Sequence, residues 1–86
     1  KKINQLKFYI MKTYDFKQFT NAKGEEILMV IDENNKKIFS LELLEIEECS
    51  KSEIISDYIN FEACLKGEEA EDMYNQMLNF YNTIKK

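Results

Sequence analysis

The C-terminal part of the chain carries its clearest helical pattern. Apolar side chains recur there at steps of three and four residues: Ala70, Met73, Met77, Tyr81 and Ile84. This spacing predicts an amphipathic helix with one apolar stripe. A helix of this kind needs a second layer on which to bury its stripe. The rest of the 86-residue chain therefore has to supply that layer.

Residues 16–44 have the signals of a small antiparallel sheet. Residues 27–31 form a short, wholly apolar run, which predicts a central strand covered on both faces. Residues 21–24 end in Gly24 and predict a type I turn closed by a left-handed glycine. Residues 32–35 supply Asp and Asn for a second turn. We expect a meander of three strands at 16–20, 26–31 and 37–44.

Helical signals follow the sheet. Ser50 and Glu53 fit the S-x-x-E capping box that begins a helix. Apolar residues continue at helical spacing as far as Leu65, and Lys66-Gly67 predicts the C-terminal stop.

Residues 2–16 are ambiguous. Ile3, Leu6, Ile10 and Tyr14 form a helical stripe, whereas Phe8, Ile10, Tyr14 and Phe16 alternate as in a strand. We favour the helix because the intervening polar residues leave its stripe clear. The predicted fold is α+β, a single domain over 1–86 with the order α-β-β-β-α-α, a three-stranded antiparallel sheet and a C-terminal helix pair.

Charge is distributed very unevenly. Fifteen of the 16 acidic residues lie between Glu25 and Asp72 against four lysines, a net charge of −11, whereas the first 23 residues carry +5. Such a field attracts a cationic partner and speeds encounter. We therefore expect the function to lie in binding a basic protein.

Absent residue types exclude several functions. The chain has no His, no Arg, no glycine-rich loop and no GxSxG elbow, so we predict no catalytic residues and no enzyme activity. The acidic middle would repel a duplex, so we expect no direct nucleic-acid binding. Calcium and zinc motifs are absent, which predicts no metal or cofactor. We expect Cys49 and Cys64 to be small core residues rather than a disulfide, in a cytoplasmic protein with no membrane span.

Two acidic segments are candidate partner-binding sites. The first is the run Glu68, Glu69, Glu71 and Asp72, with Tyr74 and Asn75 after it; we expect Tyr74 at the surface. Favourable interaction with the helix dipole is the simpler explanation of the carboxylates. The second is the hairpin tip Asp32, Glu33, Asn34 and Asn35, for which an ordinary turn is the simpler explanation. We interpret Glu42, Glu45, Glu47 and Glu48 as a solvated strand end and loop.

The element order and two stretches of sequence resemble a known family. The chain is similar to small phage-encoded anti-CRISPR proteins that inhibit the type II RNA-guided nuclease by imitating DNA. The likeness rests on residues 3–6 with Tyr14, and on the acidic run 68–77 that includes Met73-Tyr74-Asn75. It implies that both acidic segments occupy the basic cleft in which the nuclease reads its PAM.

We therefore expect a non-enzymatic anti-CRISPR inhibitor that acts in the bacterial host cytoplasm and binds the guide-RNA-loaded nuclease. The alternative is an immunity protein or antitoxin that caps a basic nuclease toxin. A third class is a structural or regulatory phage protein that self-associates through Met73, Met77, Tyr81 and Ile84. The expected oligomeric state is a monomer or weak dimer.

Overall fold

The computed structural model describes residues 13–85. Three strands, β1 (Asp15–Thr20), β2 (Glu26–Ile31) and β3 (Lys37–Glu42), form an antiparallel sheet in the order β1-β2-β3. The predicted α+β class and three-stranded meander are confirmed. The third strand is two residues shorter than expected, because the chain turns into a helix at Leu43.

Both hairpins are closed by the predicted turn residues. Gly24 has φ +85, and its N–H donates to the carbonyl of Asn21 at 3.0 Å. Asn35 has φ +65, and its N–H donates to the carbonyl of Asp32 at 2.9 Å. Glycine and asparagine are the residues that enter the left-handed region most readily. The local sequence therefore sets both chain reversals.

The central strand is buried mainly on one face. Leu28 and Val30 are fully buried, whereas Ile27 and Met29, which point the other way, are half-buried. The expected full cover on both faces is therefore wrong for this strand. A register shift between Val30 and Ile31 marks a β-bulge next to the second turn.

A short helix, α1 (Leu43–Glu48), follows the sheet directly. The prediction of a strand end and loop here is wrong. Glu42 and Glu45 form a reciprocal capping box, in which the Glu42 N–H donates to Glu45 Oε1 at 3.3 Å. Ile46, three residues after Leu43, is buried in the core. The pattern is only two turns long, which hid it in the sequence.

The next helix, α2 (Lys51–Ile54), begins at the predicted cap and continues as a π-helical stretch (Ile55–Asn60). The Ser50 hydroxyl accepts the N–H of Glu53 at 3.2 Å, and the Ser50 N–H donates to Glu53 Oε1 at 2.8 Å. The wider π turn allows Ile54 and Ile59, five residues apart, to be buried together.

The helix does not continue to Leu65, and Gly67 does not stop it, so that prediction is wrong. The chain leaves the π-helical stretch after Asn60, and Cys64 takes a left-handed φ of +58. Leu65 then donates its N–H to the carbonyl of Ile59 at 3.0 Å. Gly67, at φ +59, is instead the first residue of the last helix, α3 (Gly67–Ile84).

The core lies between the sheet and the last two helical segments. All but the last residue of the predicted α3 stripe are buried: Ala70, Met73, Met77 and Tyr81. Phe80 of α3 stacks on Phe16 of β1 with ring centroids 5.5 Å apart. Because α3 has 18 residues, it extends for about 27 Å and connects both ends of the molecule.

Two further predictions concern the start of the chain and the cysteines. The helix predicted over 2–16 is wrong at its end, because Asp15 and Phe16 belong to β1; residues 2–12 lie outside the described residues. Both cysteines are free thiols. Cys49 is half-buried, but Cys64 is exposed and is not the core residue that we expected.

Candidate partner-binding surface

The tip of the β2–β3 hairpin is held by its own first residue. Asp32 Oδ1 accepts the backbone N–H of Asn34 at 2.9 Å and of Lys36 at 3.0 Å. These two bonds fix the turn from within, as Asx side chains commonly do. Glu33, Asn34 and Asn35 are exposed on this fixed loop. The hairpin therefore presents its polar side chains from a well-defined backbone.

The start of α3 is a second acidic segment. Lys66 occupies the N-cap position, and its side chain makes no cap hydrogen bond. Glu68 and Glu69 lie in the first turn, where the helix dipole favours negative charge. The helix dipole therefore accounts for the position of these carboxylates at the start of α3.

Tyr14 connects the two acidic segments. It is 9% exposed, and its backbone N–H donates to Gln76 Oε1 of α3 at 3.3 Å. The pKa of its phenol is raised first by burial, and then by the negative charges of Glu69 and Asp72 from α3 and of Glu33 and Asp32 from the hairpin. One phenol is therefore influenced by carboxylates from both segments.

We call this group the tip patch, and it consists of Tyr14, Asp32, Glu33, Glu69 and Asp72. Asp32, Glu69 and Asp72 are half-buried, whereas Glu33 is exposed. The sequence patterns placed Tyr14 in the segment 2–16 and did not indicate its position between the two acidic segments. No sequence signal marks that position, because the contact joins residues 62 apart.

A cleft of about 250 Å³ opens beside the tip patch. It is lined by residues of the hairpin, of the segment before β1, and of the loop before α3: Thr13, Tyr14, Asp32, Glu33, Asn34, Ile38, Ala63 and Leu65. Ala63 and Leu65 were not predicted as site residues. They add an apolar wall next to the hairpin carboxylates, so a bound side chain could be held by both.

Two predicted site residues have other partners. Glu71 forms an ion pair with Lys51 at the start of α2. Tyr74 is 8% exposed, and the Lys51 ammonium lies 5.5 Å from its ring centroid. The prediction that Tyr74 lies at the surface is wrong. Its spacing from Ala70 and Met77 by four and three residues places it on the buried stripe, a signal present in the sequence.

The remaining predicted residues are exposed around the patch. Glu68 precedes Glu69 on α3, and Asn75 lies about two turns further along. The nearby lysines, Lys36 and Lys37, line a neighbouring concavity that shares Asp32, Ile38 and Ala63 with the cleft. Within the described residues, the side chains that line the cleft at Tyr14 itself include two carboxylates and no ammonium group.

The described residues contain no group of three or more His, Cys, Asp or Glu side chains placed to hold a metal ion. No helix in residues 13–85 combines the length and apolarity required to cross a bilayer. Comparison with known protein families, with curated proteins and with solved structures finds no match for this chain.

Proposed function

We propose that this protein is a non-enzymatic inhibitor that binds a basic nucleic-acid-binding protein through the tip patch. Its specific target in this proposal is the guide-RNA-loaded type II CRISPR nuclease of a bacterial host, and its site of action is the host cytoplasm. The carboxylates take the place of DNA in the cleft that reads the PAM.

One observation carries the proposal. Carboxylates from two distant segments of sequence, Asp32 with Glu33 and Glu69 with Asp72, act on the same phenol of Tyr14. Dipole compensation on α3 explains Glu69, and turn formation explains Asp32, but neither explains why the two segments converge. Packing of the apolar stripe of α3 brings the two segments together, and the acidic surface that results suits a cationic receptor.

The chemistry of the target fits this patch. A PAM-reading cleft presents arginines placed for the edges of guanines. Carboxylates pair with the guanidinium fork in a bidentate manner that is short, strong and directional. Glu69 and Asp72 are the α3 carboxylates whose charges act on Tyr14 in the cleft, so they are the α3 residues that we assign to the receptor.

The test is cleavage of target DNA by the loaded nuclease, titrated with the protein. The double variant Glu69→Lys with Asp72→Lys should raise the half-inhibitory concentration by at least about 100-fold. Each lost charge-assisted bond costs about 1.5–3 kcal/mol, and the new lysines repel the receptor. The matched control, Glu48→Lys with Asp57→Lys, changes the net charge equally at exposed positions outside the patch.

Inhibition by the wild type should weaken as salt is raised, since exposed charges are screened. Equal inhibition by both double variants would remove the tip patch from the mechanism. A wild type that leaves the loaded nuclease active but neutralises a basic nuclease toxin would favour the immunity-protein alternative. Thermal unfolding of each variant, followed by circular dichroism, separates a lost contact from a lost fold.

A further inference from the structure

A second concave surface lies at the opposite end of the sheet from the tip patch. This groove has a volume of about 460 Å³ and is formed by the start of β2, the end of β3, α1 and the end of α3. Its main lining residues are Glu25, Glu42, Leu43, Leu44, Glu47 and Ile84. The six residues of β2 separate it from the hairpin tip by about 17 Å.

The floor of the groove is apolar. Leu43 and Ile84 are half-buried, and Leu44 is 53% exposed. An exposed leucine alone is ordinary on a protein surface. Here it lies in a concave site beside two other aliphatic side chains, so a bound aliphatic group would be removed from water on several sides.

The rim of the groove is acidic, and neutral donors orient its carboxylates. Asn21 Nδ2 donates to Glu25 Oε1 at 2.9 Å, and the Tyr81 hydroxyl donates to Glu47 Oε2. Hydrogen bonds from an amide and a phenol fix these carboxylates without cancelling their charge. The two hydrogen bonds therefore hold these carboxylates in position.

Two of these carboxylates, Glu25 and Glu42, line the same groove and interact. The pKa of Glu42 is raised, first by the charge of Glu25, then by burial and by Glu45, whereas Lys23 lowers it. Lys85 also lines the groove, with its ammonium 5.4 Å from the ring centroid of Tyr81. A further cation between Glu25 and Glu42 would relieve their repulsion.

We propose that the groove binds an arginine side chain of a partner polypeptide, flanked in that partner by aliphatic residues. The guanidinium pairs with Glu25 and Glu42, and the methylene stem and aliphatic neighbours contact Leu44 and Ile84. Charge complementarity selects the cation, and the apolar floor selects its neighbours. This inference does not depend on the identity of the tip-patch target, since it concerns a separate surface.

The test is a titration of the protein with the peptide acetyl-Leu-Arg-Leu-amide, observed through the ¹³C methyl shifts of Leu43, Leu44 and Ile84. We expect saturable shifts with a dissociation constant of about 1 mM, in keeping with so small a ligand. The same peptide with citrulline in place of arginine keeps the shape and loses the charge. Its binding should be about tenfold weaker.

Variants assign the contacts. Glu25→Gln with Glu42→Gln removes both charges and keeps one acceptor oxygen on each side chain, which at residue 25 can still accept from Asn21, and it should weaken binding of the arginine peptide by about tenfold. Leu44→Ser, at an exposed position, should weaken both peptides by a similar factor. The control Asp57→Asn with Glu62→Gln lies outside the groove and should bind as the wild type does.

Three results would overturn the inference: no methyl shift up to 10 mM peptide, as an order-of-magnitude ceiling for the expected affinity; equal binding of the citrulline peptide; or unchanged binding in the double glutamine variant. Thermal unfolding should show that this variant is folded. Because inhibition is not measured here, a failure of this test leaves the tip-patch proposal standing, and the reverse also holds.

Discussion

The two ends of the sheet both carry acidic side chains, but they hold them in different ways. At the hairpin tip, Asp32 is bonded to the amides of its own turn, and Glu69 lies in the first turn of α3. At the groove, Glu25 and Glu42 line one concave site, and neutral donors orient the carboxylates of Glu25 and Glu47. Backbone dipoles compensate the first set, whereas like-charge repulsion raises the pKa of Glu42 in the second.

Carboxylates thus contribute to two different kinds of surface in this protein. Carboxylates stabilised by amides and a helix start are favourable before any partner arrives, so their patch contributes to folding and is then available for binding. Carboxylates that repel each other oppose folding until a cation comes. A bound cation should therefore stabilise the folded protein more at the groove than at the tip patch.

The strongest test of whether the two ends form one unit is Met77→Ala. Met77 is fully buried midway between them on α3. Loss of its side chain should lower the free energy of unfolding by about 2–5 kcal/mol, because transfer and cavity terms add. Urea denaturation should show a single transition, shifted to lower urea, by both circular dichroism and tyrosine fluorescence. Two separate transitions would show that the two ends of the sheet unfold independently.

A smaller effect compares the two turns. Asp32 and Asn21 each accept two backbone N–H bonds through one side-chain oxygen, so Asp32→Ala and Asn21→Ala should each cost about 1–2 kcal/mol in urea denaturation. Asp32→Asn is the matched control, because it keeps the accepting oxygen and removes the charge. Asp32→Asn should unfold at nearly the same urea concentration as the wild type, while its inhibition through the tip patch becomes weaker. A full loss of stability in Asp32→Asn would show that the charge, and not the oxygen, holds the turn.

The smallest expected effect tests whether repulsion between Glu25 and Glu42 lowers the stability of the fold. The charge of Glu25 holds the folded-state pKa of Glu42 above its ordinary value, so the folded protein binds this proton more tightly than the unfolded chain does. Stability is therefore lost as pH rises through the pKa of Glu42, and the repulsion is fully present at neutral pH. Glu25→Gln should raise the melting temperature at pH 7, and this gain should disappear below about pH 4.

The control for that measurement is Glu48→Gln, which removes an exposed carboxylate of α1 outside both surfaces. A gain in Glu25→Gln that persists unchanged at low pH would rule out carboxylate repulsion as its cause. A gain of equal size and pH dependence in Glu48→Gln would assign the effect to net charge instead.

Local patterns explain which parts of the fold were predictable. The capping box at Ser50, the turn at Gly24 and the stripe of α3 are each complete within a few residues, so sequence spacing alone indicated them. The helix at α1 was missed because two turns leave too little periodicity. The stop at Gly67 was misplaced because Cys64 takes the left-handed conformation that glycine normally supplies.

The candidate site was predictable only as two separate segments. The sequence nominated the hairpin tip and the start of α3 from their acidic residues, yet it could not show that carboxylates of both segments raise the pKa of Tyr14. It also assigned Glu71 and Tyr74 to the surface site, although Lys51, from another helix, lies against both. Contacts between residues far apart in the chain leave no periodic signal.

Short windows of sequence were enough to specify the three-stranded meander, both turns, the start of α2, the stripe of α3 and the excess of negative charge, because these follow from local spacing and composition. Which carboxylates share a surface depended on tertiary packing. Packing of α3 along the sheet brings Glu69 and Asp72 near enough to Tyr14 to raise its pKa together with Asp32 and Glu33, and it places Tyr81 and Ile84 in one groove with Glu25 and Glu42. Burial of one apolar stripe thus fixed the positions of two acidic surfaces at once.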